Sequence, residues 1–131
     1  MFVIDRETKE ITLPKGDTLA FRVKLNGPEI PENTVGVLGI CSVDRRGEPK
    51  ETVFAKEFPV RENGVTVFLS NQDTRELAAG TYDWDLRLVT DPEYNEDGSV
   101  RCDDASDNVL SIFSGSVGMP AFIVKGVAVH V

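Results

Sequence analysis

The chain has 131 residues, of which 40% are hydrophobic and 27% are charged, and its formal net charge is −8. This length and composition predict one soluble domain over residues 1–131. The negative charge argues against nucleic-acid binding, because phosphate backbones would be repelled. The apolar runs are too short to span a membrane, and the N-terminal residues lack the basic and apolar regions of a signal peptide.

The first half of the chain has the pattern of short strands separated by turn residues. Residues 18–25 place Leu19, Phe21 and Val23 on one face, because successive strand residues point to opposite faces. Residues 35–43 are apolar on both faces, which predicts a central strand. A hairpin turn over residues 61–64, Arg-Glu-Asn-Gly, is predicted from its Asn63-Gly64 pair. The strands predicted in this half are 11–13, 18–25, 35–43, 52–58 and 65–69.

Residues 69–89 have the most regular pattern of the chain. Ser70 followed by Asp73 predicts a capping box and a helical turn that runs through residue 79 and ends at Gly80. The next strand, 81–90, alternates strictly. Its core face is predicted to hold Tyr82, Trp84, Leu86 and Leu88. Its other face holds Asp83, Asp85 and Arg87 and is predicted to be wet, so we expect a sheet covered on one side only.

A long acidic segment, 91–108, is predicted to be a mobile, solvated loop. Two more strands are predicted over 109–113 and 121–131. About eight strands and one helical turn predict an all-β fold: an immunoglobulin-like antiparallel β-sandwich of about seven to nine strands, with an open barrel as the alternative. The predicted core residues are Phe21, Val23, Tyr82, Trp84, Leu86 and Leu88.

No catalytic cluster is visible, and we expect no enzymatic activity. His130 is the single histidine, which leaves no partner for histidine-based catalysis or a multi-histidine zinc site. Asp83 and Asp85 share one strand face, and we interpret them as solvated surface residues. The two cysteines, Cys41 and Cys102, are expected to be free thiols, with a disulfide as the alternative.

The acidic segment contains an incomplete calcium-loop pattern. Glu93, Asn95 and Asp97 take the first, third and fifth positions, Gly98 the sixth and Asp104 the twelfth. Both end ligands are substituted and no amphipathic helices flank the segment, so we expect a solvated loop, no metal and no cofactor, with calcium as the alternative. Sugar binding is disfavoured, because an aromatic platform is missing.

Two segments resemble a known family. Residues 11–23, ITLPKGDTLAFRV, and the motif formed by residues 69–85, LSNQDTRELAAGTYDWD, look like the β-sandwich domain of phage baseplate upper proteins. The resemblance implies a structural part of a phage or prophage particle, located in the virion and, before assembly, in the bacterial cytoplasm. The partners that it implies are other phage structural proteins, or further copies of the chain in a homo-oligomer. A ligand-binding or adhesive bacterial module, carbohydrate- or calcium-dependent, is the alternative.

Overall fold

The computed structural model describes residues 2–25, 30–46, 49–101, 109–111 and 120–126. These residues form nine strands and one five-residue helix, so the all-β prediction is confirmed. The strands are β1 (Val3–Ile4), β2 (Ile11–Pro14), β3 (Leu19–Lys24), β4 (Thr34–Val43), β5 (Pro49–Arg61), β6 (Gly64–Leu69), β7 (Gly80–Thr90), β8 (Val109–Ser111) and β9 (Ala121–Lys125), and the helix is α1 (Asn71–Arg75).

The strands form one continuous path in the order β1-β2-β9-β7-β4-β5-β6-β3, and β8 pairs with β7. Every pairing is antiparallel except β2 with β9, which is parallel, so the sheet is mixed and not purely antiparallel as predicted. The β5 strand pairs with β4 up to Pro59 and with β6 from Val60 onward. The sheet therefore curls like half a barrel, and a separate two-sheet sandwich is not confirmed.

The curl brings β4 and β6 close to each other at Gly36. A Cβ added to Gly36 of β4 would lie 2.9 Å from Cγ1 of Val65 on β6. Because β5 lies between these two strands in the sheet, their contact measures how sharply the sheet turns around β5. Glycine at position 36 leaves the space that this turn requires.

The hairpin between β5 and β6 and its predicted turn, Arg61 to Gly64, are confirmed. Arg61 pairs with Gly64, and Glu62 and Asn63 both have a φ of 54°, as a type I′ turn requires. Gly64 is needed for close packing, because a Cβ there would lie 2.6 Å from Nη2 of Arg22. The same nitrogen donates to the carbonyl oxygens of Arg61 at 2.7 Å and Glu62 at 3.2 Å.

The core lies inside the curl and is filled from both halves of the sheet. Phe21 of β3 meets Trp84 of β7 edge-on, with ring centroids 5.6 Å apart. Of the six residues predicted for the core, Trp84 and Leu86 are fully buried, and Phe21, Val23, Tyr82 and Leu88 are partly buried against the same cluster. The face of β7 predicted to be apolar is the one that points into the curl.

The predicted capping box is present at α1. The Asp73 amide donates to Oγ of Ser70 at 3.2 Å, and the Ser70 amide donates to the Asp73 carboxylate at 3.0 Å. Burial alone would raise the pKa of Asp73, but hydrogen bonds from Lys56 and Ser70 outweigh it and lower this pKa. The helix ends at Arg75 instead of continuing through residue 79, because the Leu77 amide bonds to the Thr74 carbonyl and Leu77 turns into the core.

Candidate functional site

The outer face of β7 is not the wet surface that the alternation predicts. Asp85 is only 7% exposed, and its Oδ2 accepts a hydrogen bond from Nε of Arg87 at 2.9 Å. Gly39 of β4 lies opposite Asp85, and a Cβ there would lie 3.1 Å from the Asp85 carboxylate. The prediction of a solvated Asp85 is therefore wrong, and the glycine leaves space for a buried ion pair.

The described part of the acidic segment, 91–101, lies beside this face. Tyr94 and Val100 form a bridge, and a tight turn joins them, in which the Asn95 amide donates to the Ser99 carbonyl at 2.8 Å. We call residues 93–100 the acidic turn. Its Ser99 and Val100 help to enclose a cavity of about 270 Å³ over β4 and β7. Most residues of this described part are exposed, as predicted for a solvated loop, whereas Ser99 and Val100 are half-buried beside Asp85 and Arg87. Residues 102–108 lie outside the described residues.

The cavity also contacts Cys41, a free cysteine. Burial raises the pKa of the Cys41 thiol; the nearby carboxylates of Asp85 and Asp83 act in the same direction, against a hydrogen bond from Thr52. Burial also raises the pKa of Asp83. A thiol with a raised pKa is a poor nucleophile at neutral pH. Cys102 and His130 lie outside the described residues.

The calcium-ligand candidates Asn95 and Asp97 form hydrogen bonds within the acidic turn. Asp97 Oδ1 accepts hydrogen bonds from the amide and hydroxyl of Ser99, which lower the pKa of Asp97. The Asn95 amide group donates to the Ser99 hydroxyl, and Glu93 lies 3.8 Å from Arg101. Asp104 lies outside the described residues. Within the part of the chain that is described, no group of three metal-ligating side chains comes together, and calcium binding stays an untested alternative.

A second feature is the place where the curled sheet stays open. The β1 and β3 strands are the two ends of the strand order, each with one partner in the described sheet. Between the β1–β2 turn and β3 lies a groove of about 470 Å³, which we call the seam. Its apolar wall is made of Ile4, Phe21, Val23 and Trp84.

The turn that forms one side of the seam is well anchored. The Trp84 indole Nε1 donates to the Lys9 carbonyl at 2.9 Å, which joins the turn to the core. The Asp5 carboxylate accepts hydrogen bonds from the amides of Glu7 and Thr8, and these bonds lower the pKa of Asp5. The seam therefore has a preformed shape on this side.

The polar residues of the seam are mostly cationic, in a chain whose net charge is −8. Four basic residues and one acidic residue line it: Arg6, Lys9, Arg22, Lys24 and Asp5. The Arg22 guanidinium binds backbone carbonyls, and Lys9 Nζ donates to the Arg6 carbonyl. Among the described residues, no salt bridge within 4.0 Å joins one of these four cations to a carboxylate, but the charge of Lys9 acts on Asp5, in the same direction as the Thr8 and Glu7 hydrogen bonds that lower the pKa of Asp5. The seam thus combines an apolar wall with an excess of positive charge.

Sequence reasoning missed both β1 and the seam. The apolar residues 2–4 before Asp5 are the signal that could have indicated a short strand, but which strands end up at the open edges depends on pairings far apart in the chain. Among the described residues, no helix has the length and apolar character needed to cross a membrane. Comparisons with protein-family models, curated proteins and solved structures found no match, so function is inferred from geometry and motifs.

Proposed function

We propose that this chain is a non-enzymatic structural component of a phage or prophage particle, of the tail or baseplate type, which acts through protein–protein assembly along the seam. The single observation that carries the proposal is the open seam, with its apolar wall and its excess of basic residues. The motif resemblance of residues 11–23 and 69–85 supports the phage context.

The open edges favour assembly for a physical reason. An end strand presents backbone groups that can pair with another chain. Seven successive pairings, six antiparallel and one parallel, connect β1 to β3 along the sheet, so these two strands have the same direction. An extended segment antiparallel to both could therefore bond to either edge while its side chains cover the apolar wall.

The finer assignment to an immunoglobulin-like sandwich belongs to this proposal. The bend of β5 divides the curled sheet into two facing halves, between which Phe21 packs on Trp84. Two facing halves around one core are the arrangement that sandwich domains share. The partners would be other phage structural proteins or further copies of the chain, in the bacterial cytoplasm before assembly and in the virion afterwards.

A ligand-binding or adhesive module is the second candidate, and one observation favours it. The volume of the seam, about 470 Å³, lies within the range of small-molecule pockets. Its cations would select an anionic ligand with an apolar part. This function would leave the protein monomeric while it binds such a ligand.

The test is the protein content of purified particles from a host that carries the gene. We expect the chain in the particles by mass spectrometry, and we expect the Arg6→Glu/Lys24→Glu variant to be depleted from them. The matched control is Lys50→Glu/Lys125→Glu, which makes the same charge change at exposed positions outside the seam. Absence of the wild-type chain from purified particles would overturn the proposal.

A further inference from the structure

We infer that the seam binds a second copy of this chain, which inserts its acidic turn with Tyr94 as the anchor. This inference rests on the proposed assembly function and names the partner surface for it. The acidic turn and the seam are different surfaces of the molecule: the turn covers the outer side of β4 and β7, and the seam lies between the β1–β2 turn and β3.

The acidic turn carries negative charge, which is complementary to the basic residues of the seam. Glu93, Glu96 and Asp97 lie on the turn beside Tyr94, and all four are exposed. The Glu93 side chain is 75% exposed, and Tyr94 is 53% exposed. Carboxylates of the turn would meet Arg6, Lys9 and Lys24 at the seam, whose lining has four basic residues and one acidic residue, Asp5.

Tyr94 also matches the apolar wall of the seam. Aromatic rings pack on one another edge-on or offset, and Phe21 and Trp84 provide two rings in the wall. Tyrosine is enriched among the residues that dominate interface energies. In the free chain the Tyr94 hydroxyl donates one hydrogen bond to Glu57 at 3.2 Å. Because Glu57 is itself exposed, its carboxylate can bond to water instead, so breaking this bond costs little when Tyr94 packs against a second copy.

Both surfaces are ordered before they meet. The acidic turn is closed by the hydrogen bonds of Asn95 and Asp97 to Ser99, and the β1–β2 turn is tied to Trp84. Preformed surfaces lose less conformational entropy on binding. Because each copy offers one turn and one seam, the contact is head-to-tail, and repetition would form a ring or a filament.

The first experiment follows self-association by sedimentation velocity over a concentration series at low salt. We expect the wild-type chain to associate and Tyr94→Ala to weaken association by about tenfold or more, while Tyr94→Phe, which keeps the ring, associates as the wild type does. Phe68→Ala is the matched control, because Phe68 is 50% exposed on β6 and lies outside the seam and the turn. Circular dichroism melts verify that each variant is folded.

The second experiment exchanges the charges. Glu93→Lys/Glu96→Lys makes the turn basic, and Arg6→Glu/Lys24→Glu makes the seam acidic. We expect each variant alone to remain monomeric and an equimolar mixture to associate, since opposite charges then meet at both contacts. Glu51→Lys/Glu76→Lys, at exposed sites outside both surfaces, should associate as the wild type does. Added salt should weaken every association that forms.

The outcomes separate this inference from the proposed function. If the Tyr94→Ala variant, or the variant with reversed charges on the turn, self-associates as well as the wild type does, the inference is overturned. Assembly would then use another contact. A chain that is monomeric at every concentration also overturns it, while its presence in purified particles would still support the structural role. Loss of association in Tyr94→Ala, together with rescue in the mixed variants, supports the inference.

Discussion

The two faces of β7 are both shielded from water, but by different chemistry. On the inner face Trp84 and Leu86 pack into an apolar core. On the outer face Asp85 pairs with Arg87 beneath the acidic turn. Alternation along a strand shows which residues share a face, but it does not show what covers that face. Ser99 and Val100, from a segment that the sequence pattern assigns to solvent, line a cavity together with Asp85 and Arg87.

The two faces are also expected to differ in what they contribute to stability. Apolar burial stabilises the folded state in proportion to the area removed from water. A buried ion pair must first offset the desolvation of both charges, so its net contribution is small even though its loss is costly. The inner face should therefore dominate stability, and the outer face should govern how the acidic turn is positioned.

The largest expected effect is on the inner face. Trp84→Ala should lower the free energy of unfolding by about 3–5 kcal/mol, because it leaves a large cavity and the Lys9 carbonyl loses its hydrogen-bond donor. Urea unfolding followed by circular dichroism measures this effect, and Phe68→Ala is the exposed aromatic control. Equal losses in the two variants would contradict the placement of Trp84 at the centre of the core.

An intermediate effect is expected on the outer face. Arg87→Ala should lower the free energy of unfolding by about 1–3 kcal/mol, because the Asp85 carboxylate stays buried without this donor. Asp85→Ala should cost less, since the Arg87 side chain is 25% exposed and its guanidinium can reach water. The double variant should lose less than the sum of the two. Additive losses in urea unfolding would show that the pair is not coupled.

The smallest effect is a pH dependence at Asp83. Burial raises the pKa of Asp83 in the folded state, so protonation favours folding, and this stabilisation is lost as pH rises through the folded pKa. Asp83→Asn, which carries no charge, should gain stability relative to the wild type between about pH 3 and about pH 7. Thermal melts across this range measure the difference, with Glu32→Gln as the exposed control. A difference that shrinks as pH rises would reverse the assigned direction.

Much of the local structure could be predicted because it depends on neighbouring residues. The alternation from Tyr82 to Leu88 predicts β7 and its inner face, and Ser70 with Asp73 predicts the cap of α1. The hairpin turn over residues 61–64 was predicted from Asn63-Gly64, and Glu62 and Asn63 are its two central residues. Gly64 has a different role there, since it makes room for Arg22.

The covered outer face and the seam could not be predicted, because both depend on long-range pairings. Nothing local to Asp85 indicates that Ser99 and Val100 fold back over it, since an acidic, glycine-containing segment favours solvent in isolation. Likewise, the positions of β1 and β3 at the two ends of the sheet follow from the whole strand order. The curl follows from the path of β5, which leaves β4 for β6 near Pro59.

The parallel pairing of β2 with β9 has a mechanical consequence. Four residue pairs, from Ile11 with Phe122 to Pro14 with Lys125, join these strands. Tension applied between the N-terminal end of β2 and the C-terminal end of β9 would run along both strands, across the direction of their hydrogen bonds. The bonds would then be loaded together in shear instead of opening one after another, which is the arrangement that best resists pulling.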